Sequence, residues 1–292
     1  MAAAAAGPSL IYLDEVEGRK LLADVRDGRH GCYQPLLHSI FGQQTTRAGC
    51  GIQSCALLLS ANAIGCQRVN LSRQQGHSVS RQPSVPAKKR KTEDSVVDEP
   101  LLSKTSTHNL PSALDSATKQ PVKEKDPRVW NPASGGVFQL PYTEVGLYSM
   151  PQTLSVTTRE LVASHGLTLA EVAGILRAHG CTVWVVYSSS STADQFRRDV
   201  VDVLSAVDSC AGMVLNFHRG PLSSAPEKAR KSHHSPVVAY HKSADRVLVL
   251  DTAAPVDRHF WASVDALFTA MLTVDHVSGK SRGYCFFVKS SA

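Results

Sequence analysis

Gln44 stands six residues before Cys50, and His233 stands eighteen residues before Asp251. The first pair supplies an amide donor and a thiol. The second supplies a base and a carboxylate that can orient it. Nucleophile, oxyanion donor, acid–base and orienting acid are the parts of a cysteine acyl-transfer site. The chemistry such a set performs is attack on an amide carbonyl through a thioester.

Cys50 and Gly51 are followed by Ile52, Ala56, Leu59 and Ala63 at helical spacing, which predicts a helix starting at or just after Cys50. A thiol at a helix N-terminus meets the positive end of the macrodipole, which lowers its pKa. Gly51 would let a substrate approach the backbone closely. Gln44 would donate its side-chain amide to the oxyanion, beside the Cys50 backbone N–H. The plainer alternative is a structural cysteine beside a loop glutamine. Cys55, one turn on, is expected in the core. Cys32, Cys66, Cys181, Cys210 and Cys285 have no companion in sequence that suggests chemistry.

At the other end of the chain, His233 and His234 precede the strand-like run from Val237 to Tyr240, and Asp251 closes the run from Val247 to Leu250. Lys242, Ser243, Ala244 and Asp245 form a turn signal between them. Two antiparallel neighbours joined by that turn would bring His233 beside Asp251. The carboxylate would fix one imidazole nitrogen and leave the other facing Cys50. Surface histidines in a Lys/Ser-rich loop are the alternative.

The elements around these residues read as α+β. Thr168 and Glu171 form a capping box before Leu169, Val172, Ala173 and Leu176, with Gly180 as a stop. Thr192 and Gln195 form a second box before Phe196, Val200, Val203 and Leu204. Strands are predicted over 182–187, 213–217, 236–240, 247–250 and 284–288, and a helix over 263–272. The order implies a helical lobe followed by a sheet-containing lobe.

Of the 292 residues, 42 % are hydrophobic, enough for a substantial core. Residues 1–8 read as a flexible N-terminus without the basic region of a signal peptide. Residues 9–67 and 129–292 read as one catalytic domain. Residues 68–128 read as a disordered insertion, because they carry no aromatic residue and are rich in Ser, Pro, Gln, Lys and Asp. Within it, Lys88–Lys91 reads as a nuclear-localisation or anion-binding cluster, or as a solvated charge run. Seven cysteines, odd in number and without CxxC or zinc spacing, imply reduced thiols in a cytoplasmic or nuclear protein. No run is long enough to span a membrane. A formal charge of +6 admits anionic ligands without demanding nucleic acid.

Several segments together resemble the phytochelatin synthases, papain-like glutathione γ-glutamylcysteinyltransferases. Phe41–Ser54, with Gln44, Cys50 and Gly51, is similar to the family's nucleophile motif. Ser190–Arg197 and Phe217–Gly220 are similar to segments ahead of the base. Ser232-His233-His234-Ser235-Pro236 resembles a base motif that reads Gly-His-Phe-Ser-Pro. Val249–Asp251 resembles the acid motif, and Asp275–Gly283 the closing motif. The resemblance implies a papain-like fold, with Cys50 as nucleophile, His233 as acid–base, Asp251 as orienting carboxylate and Gln44 as oxyanion donor. Asp275 and Arg282 would hold the amino and carboxylate groups of the γ-glutamyl end, an arrangement that suits their charges.

The implied reaction releases glycine from glutathione, forms a γ-Glu-Cys thioester on Cys50 and passes it to a second glutathione. Metal ions (Cd, Zn, Cu) would enter as metal–glutathione thiolates, so neither a protein metal site nor a bound cofactor is expected. The chain departs from the family pattern at Ser232, at His234 and at Ala254, where the plant enzymes carry an Arg that is a candidate for binding the acceptor. A glutathione or glutathione-conjugate hydrolase of the same fold is therefore a second reading. A third, of another class, is a non-catalytic interaction protein using the basic insertion.

Overall fold

The computed structural model describes residues 10–28, 30–74, 140–206, 211–223, 232–253 and 258–288. In chain order these form β1 (Leu10–Tyr12), α1 (Val16–Arg26), β2 (Gly31–Tyr33), α2 (Pro35–Ser39) and α3 (Cys50–Gln74). Then follow α4 (Glu144–Leu147), α5 (Pro151–Leu154), α6 (Arg159–His165), α7 (Leu169–Ala178), β3 (Thr182–Tyr187) and α8 (Ala193–Leu204). The chain continues through β4 (Ala211–His218), β5 (Ser232–His241), β6 (Arg246–Val249), β7 (Phe260–Ser263), α9 (Val264–Met271) and β8 (Gly283–Val288). All of them fall within one unit assembled from 1–79 and 127–292.

The local chemistry explains several boundaries. Thr168 Oγ1 accepts from Glu171 N, and Glu171 Oε2 accepts from Thr168 N at 2.7 Å, so both halves of the first capping box are made. Replacing such a cap costs about 0.5–2 kcal/mol. Gly180 adopts φ +83° just past α7, a left-handed turn that a side chain would disfavour. At Thr192 only half of the second box forms, because Gln195 Oε1 accepts from Arg198 Nη2 instead, at 3.0 Å.

The strands form one antiparallel sheet in the order β1-β7-β6-β5-β4-β8-β3, with β2 also paired to β5. In β5, Ser232 to Pro236 pair with β4, and Ala239 to His241 pair with both β2 and β6. A bulge between Val237 and Ala239 marks the change. Along β4, Met213, Leu215 and Phe217 enter one hydrophobic cluster and Val214 enters another. The period-2 alternation thus buries both faces of the sheet. Helices α1, α3 and α7 cover one face, and α8 and α9 cover the other.

This mixed, antiparallel architecture is α+β, as expected, with α8 and α9 covering the second face of the sheet. The folded segment also runs past residue 67, the expected limit, because α3 continues to Gln74. Each added residue gains one backbone hydrogen bond, and the sequence here holds helix-compatible Gln, Arg and Leu. The expectations for 1–8, for 75–128 including Lys88–Lys91, and for Ala254 lie outside the described residues. No helix among the described residues is long and apolar enough to cross a membrane.

Candidate active site

Cys50 is the first residue of α3 and is half-buried. The loop before it is held by Glu144, the first residue of α4, which is only 2 % exposed. Its carboxylate accepts from the backbone N–H of Thr45, from Thr46 N at 3.1 Å and from Thr46 Oγ1 at 2.6 Å. Gly49 is required beneath it: a Cβ there would stand 2.2 Å from Glu144 Oε1. Sequence reasoning missed Glu144, and nothing in the order of residues links it to a loop almost one hundred positions away.

His233 lies in β5 opposite Phe217, whose ring meets the imidazole edge-on at 5.7 Å. Its Nε2 stands 2.9 Å from Asp251 Oδ1. That contact commits the Nε2 proton to the carboxylate and leaves Nδ1 for other work. Asp251, fully buried, also accepts from Ala253 N at 2.9 Å and from Arg219 Nη2. The β5–β6 turn over Lys242–Asp245 forms as the sequence implies, with Asp245 at φ +48°. Arg219 and Thr252 were not foreseen. Thr252 Oγ1 lies 3.3 Å from His233 Nε2, 3.2 Å from Gln44 Oε1 and 3.1 Å from the His234 carbonyl. With Gln44 N donating to Thr252 O at 2.7 Å, it ties the loop before the thiol to the residue after the acid.

Cys50, His233 and Asp251 are thus brought together. Burial pushes the Cys50 thiol up, but the hydrogen bond and charge of His233, then those of His234, outweigh it and hold the thiol well below its ordinary range. His234 Nδ1 lies 3.9 Å from Sγ. Burial alone would lower His233, yet the Asp251 charge and hydrogen bond, followed by those of Cys50, raise it to about 8. Burial raises Asp251, while His233 and then Arg219 bring it below the usual carboxylate value. Cys55 is fully buried, and burial pushes its thiol well up; Cys285 is pushed to about 12 for the same reason. Those two thiols stay neutral and unreactive, which separates them chemically from Cys50.

Four expected positions are placed differently. Gln44 lines the cavity beside Cys50, but its Nε2 donates to Thr46 O at 2.9 Å and Arg47 O at 3.1 Å, so both amide hydrogens are engaged. Gly51 is buried and faces the helical layer rather than a ligand: a Cβ would meet Leu167 Cδ1 at 2.9 Å and Val172 Cγ2 at 3.2 Å. Its smallness serves the approach of α3 to α7. Asp275 and Arg282 do not line the cavity. Asp275 Oδ2 accepts from Ser278 Oγ at 3.0 Å, and Arg282 Nη1 donates to Thr273 Oγ1 at 3.0 Å. Both are buried within the connection between α9 and β8, where these local bonds hold them.

The cavity over Cys50 holds about 520 Å³, within the range of small-molecule sites. Arg47, Tyr148, Arg159, His165, His233 and His234 contribute to its polar wall, and no Asp or Glu among the described residues lines it. The Arg159 guanidinium stands 5.8 Å from the centre of the Tyr148 ring. The wall therefore complements an anion. No group of His, Cys, Asp or Glu among the described residues has the geometry to hold a metal ion.

A model of the phytochelatin synthase family matches residues 139–284. That stretch is half of the chain; it contains His233, Asp251, Asp275 and Arg282 but not Gln44 or Cys50. The chain is 32 % identical over 130 residues to glutathione gamma-glutamylcysteinyltransferase 3 of Lotus japonicus, covering 44 % of this chain and 26 % of that protein. It is 30 % identical over 125 residues to glutathione gamma-glutamylcysteinyltransferase 1 of Arabidopsis thaliana, covering 43 % and 24 %. It is 25 % identical over 123 residues to glutathione gamma-glutamylcysteinyltransferase of Schizosaccharomyces pombe, covering 42 % and 28 %. Each match thus spans about a quarter of the relative. With a family match over half its length, the chain belongs to the phytochelatin synthase family.

Proposed function

We propose that this chain is a glutathione γ-glutamylcysteinyltransferase with a papain-like catalytic arrangement, a thiol on a helix N-terminus meeting an imidazole on an antiparallel sheet. The observation that carries the reading is Cys50 at the start of α3 sharing a cavity with His233, whose Nε2 stands 2.9 Å from Asp251, with Arg47 and Arg159 in the cavity wall. Glutathione carries two carboxylates, and Arg47 and Arg159 complement them by charge. With Asp275 and Arg282 away from the cavity, these arginines are the substrate-binding cations of the proposal.

The reaction follows from the proton positions. The Cys50 thiolate attacks the Cys–Gly carbonyl carbon, forming the C–S bond and sending the π electrons to oxygen. His233, protonated and held by Asp251, gives a proton to the departing glycine nitrogen as the C–N bond breaks. A γ-Glu-Cys thioester remains. The amine of a second glutathione attacks it, His233 takes the amine proton, and the Cys50 thiolate leaves. Metal enters only as a thiolate complex of the substrate.

Mass spectrometry of products from glutathione, with and without Cd²⁺ and beside Cys50→Ser, tests the proposal. Oligomers of γ-Glu-Cys that vanish with Cys50→Ser support it. Glycine without longer peptides would replace transfer by hydrolysis. Neither product would overturn both.

A further inference from the structure

A second histidine, His234, directly follows His233 in β5. Its side chain is 2 % exposed, and its Nδ1 stands 3.9 Å from Cys50 Sγ, so the thiol is flanked by two imidazoles rather than one. The two rings are not equivalent. His233 has its Nε2 bound to Asp251. His234 Nε2 is buried and has no hydrogen-bond partner among the described residues. A buried ring nitrogen without a partner is cheaper as a bare lone pair than as an N–H. A proton on Nδ1 is therefore favoured over one on Nε2, and that proton faces sulfur.

The position expected to supply the side-chain donor at this site is otherwise committed. Gln44 spends both amide hydrogens on the Thr46 and Arg47 carbonyls. We infer that His234 is a second catalytic imidazole, an Nδ1–H donor to the Cys50 sulfur, while His233 alone moves protons. This deepens the proposed transferase reading and rests on Cys50 being the nucleophile. The donor acts twice without transferring its proton. Before attack it raises the fraction of thiol present as thiolate. In the second half-reaction the C–S bond breaks, the electron pair returns to sulfur, and the same N–H stabilises the leaving thiolate.

The charged and titratable groups around this sulfur are His233 and His234 from β5, Tyr148 after α4, Arg47 from the preceding loop, and Arg159 and His165 from α6. The His234 imidazole can be replaced without touching the Asp251–His233 contact. The test is the rate of Cys50 alkylation by iodoacetamide against pH, in the full chain, for wild type, His234→Phe and His234→Asn.

His234→Phe should move the alkylation midpoint up by about one to two pH units, the effect of one hydrogen bond to a charged group. It should also slow glycine release about 10²-fold. His234→Asn, whose side-chain amide nitrogen can overlie Nδ1, should restore much of both. An unchanged midpoint in His234→Phe, or equal loss in both variants, would overturn the role. A wild type that shows a low alkylation midpoint but releases no glycine would instead sink the transferase reading and leave the donor role standing.

Discussion

His233 Nε2 lies 2.9 Å from Asp251 Oδ1, with both side chains buried, although eighteen residues separate them. The β5–β6 turn closes that gap, and Arg219 and the Ala253 N–H hold the carboxylate in place. Asp251→Asn keeps an acceptor for the imidazole but removes the charge that raises His233. Glycine release should fall by roughly 10²- to 10⁴-fold. The His233 midpoint, read by NMR titration, should drop below about 8. Removing the charge opposite Arg219 should also cost about 3 kcal/mol in urea unfolding. A His233 midpoint unmoved by the substitution would refute the coupling.

The pH profile follows from the same pair. His233 is raised in the folded state, so its contribution to stability is fully present below about 6.5 and is lost as pH rises through about 8. The proton needed by the departing glycine is lost over the same range. The logarithm of kcat/KM for glutathione should therefore fall with pH above about 8, as the site titrates as a pair. The acid limb should lie well below the ordinary thiol range, because Cys50 is depressed. Activity that kept climbing through pH 9 would mean an unassisted thiol.

Arg159 stands in the first turn of α6 and lines the cavity beside Tyr148. If it binds a carboxylate of glutathione, Arg159→Ala should raise KM about 10- to 100-fold, the worth of one hydrogen bond between charged groups. Alkylation of Cys50 should keep its pH midpoint. An unchanged KM would assign Arg159 to the solvated wall of the cavity.

Much of this site was legible because its signals are short in range. The helix beginning at Cys50 follows from apolar spacing, and the β5–β6 pairing follows from two apolar runs and a turn. What escaped depends on three dimensions. The short edge strands β1 and β2 carry too few residues for a period to register, and their pairing partners are distant in sequence. Gly51 next to Cys50 suggests room for a ligand, yet the space is filled by Leu167 and Val172 from another segment. Gln44 stands at the expected spacing, but its amide is taken by carbonyls two and three residues on, which depends on the loop's path. The charges of Asp275 and Arg282 suit a γ-glutamyl group equally well wherever they sit, so charge alone could not place them.

Glu144 offers the sharpest separation of positioning from chemistry. Its buried carboxylate receives two backbone N–H groups and the Thr46 hydroxyl, and through them it sets the path of the loop between Gln44 and Cys50. A carboxylate can only accept; an amide must turn two donors toward some partner. In Glu144→Gln, one oxygen can still accept, but the NH₂ group would face a backbone N–H or the Thr46 hydroxyl. The variant should lose about 1–3 kcal/mol in urea unfolding, the cost of leaving a buried donor unsatisfied. Because the loop carries Gln44 and leads into Cys50, kcat should fall while KM changes little. The Cys50 alkylation midpoint should stay low, since His233 and His234 are held by the β4–β5 pairing and His233 also by Asp251. A variant as stable as wild type would deny Glu144 its structural role. One whose thiol midpoint rose in step with lost activity would instead make Glu144 part of the electrostatics at sulfur.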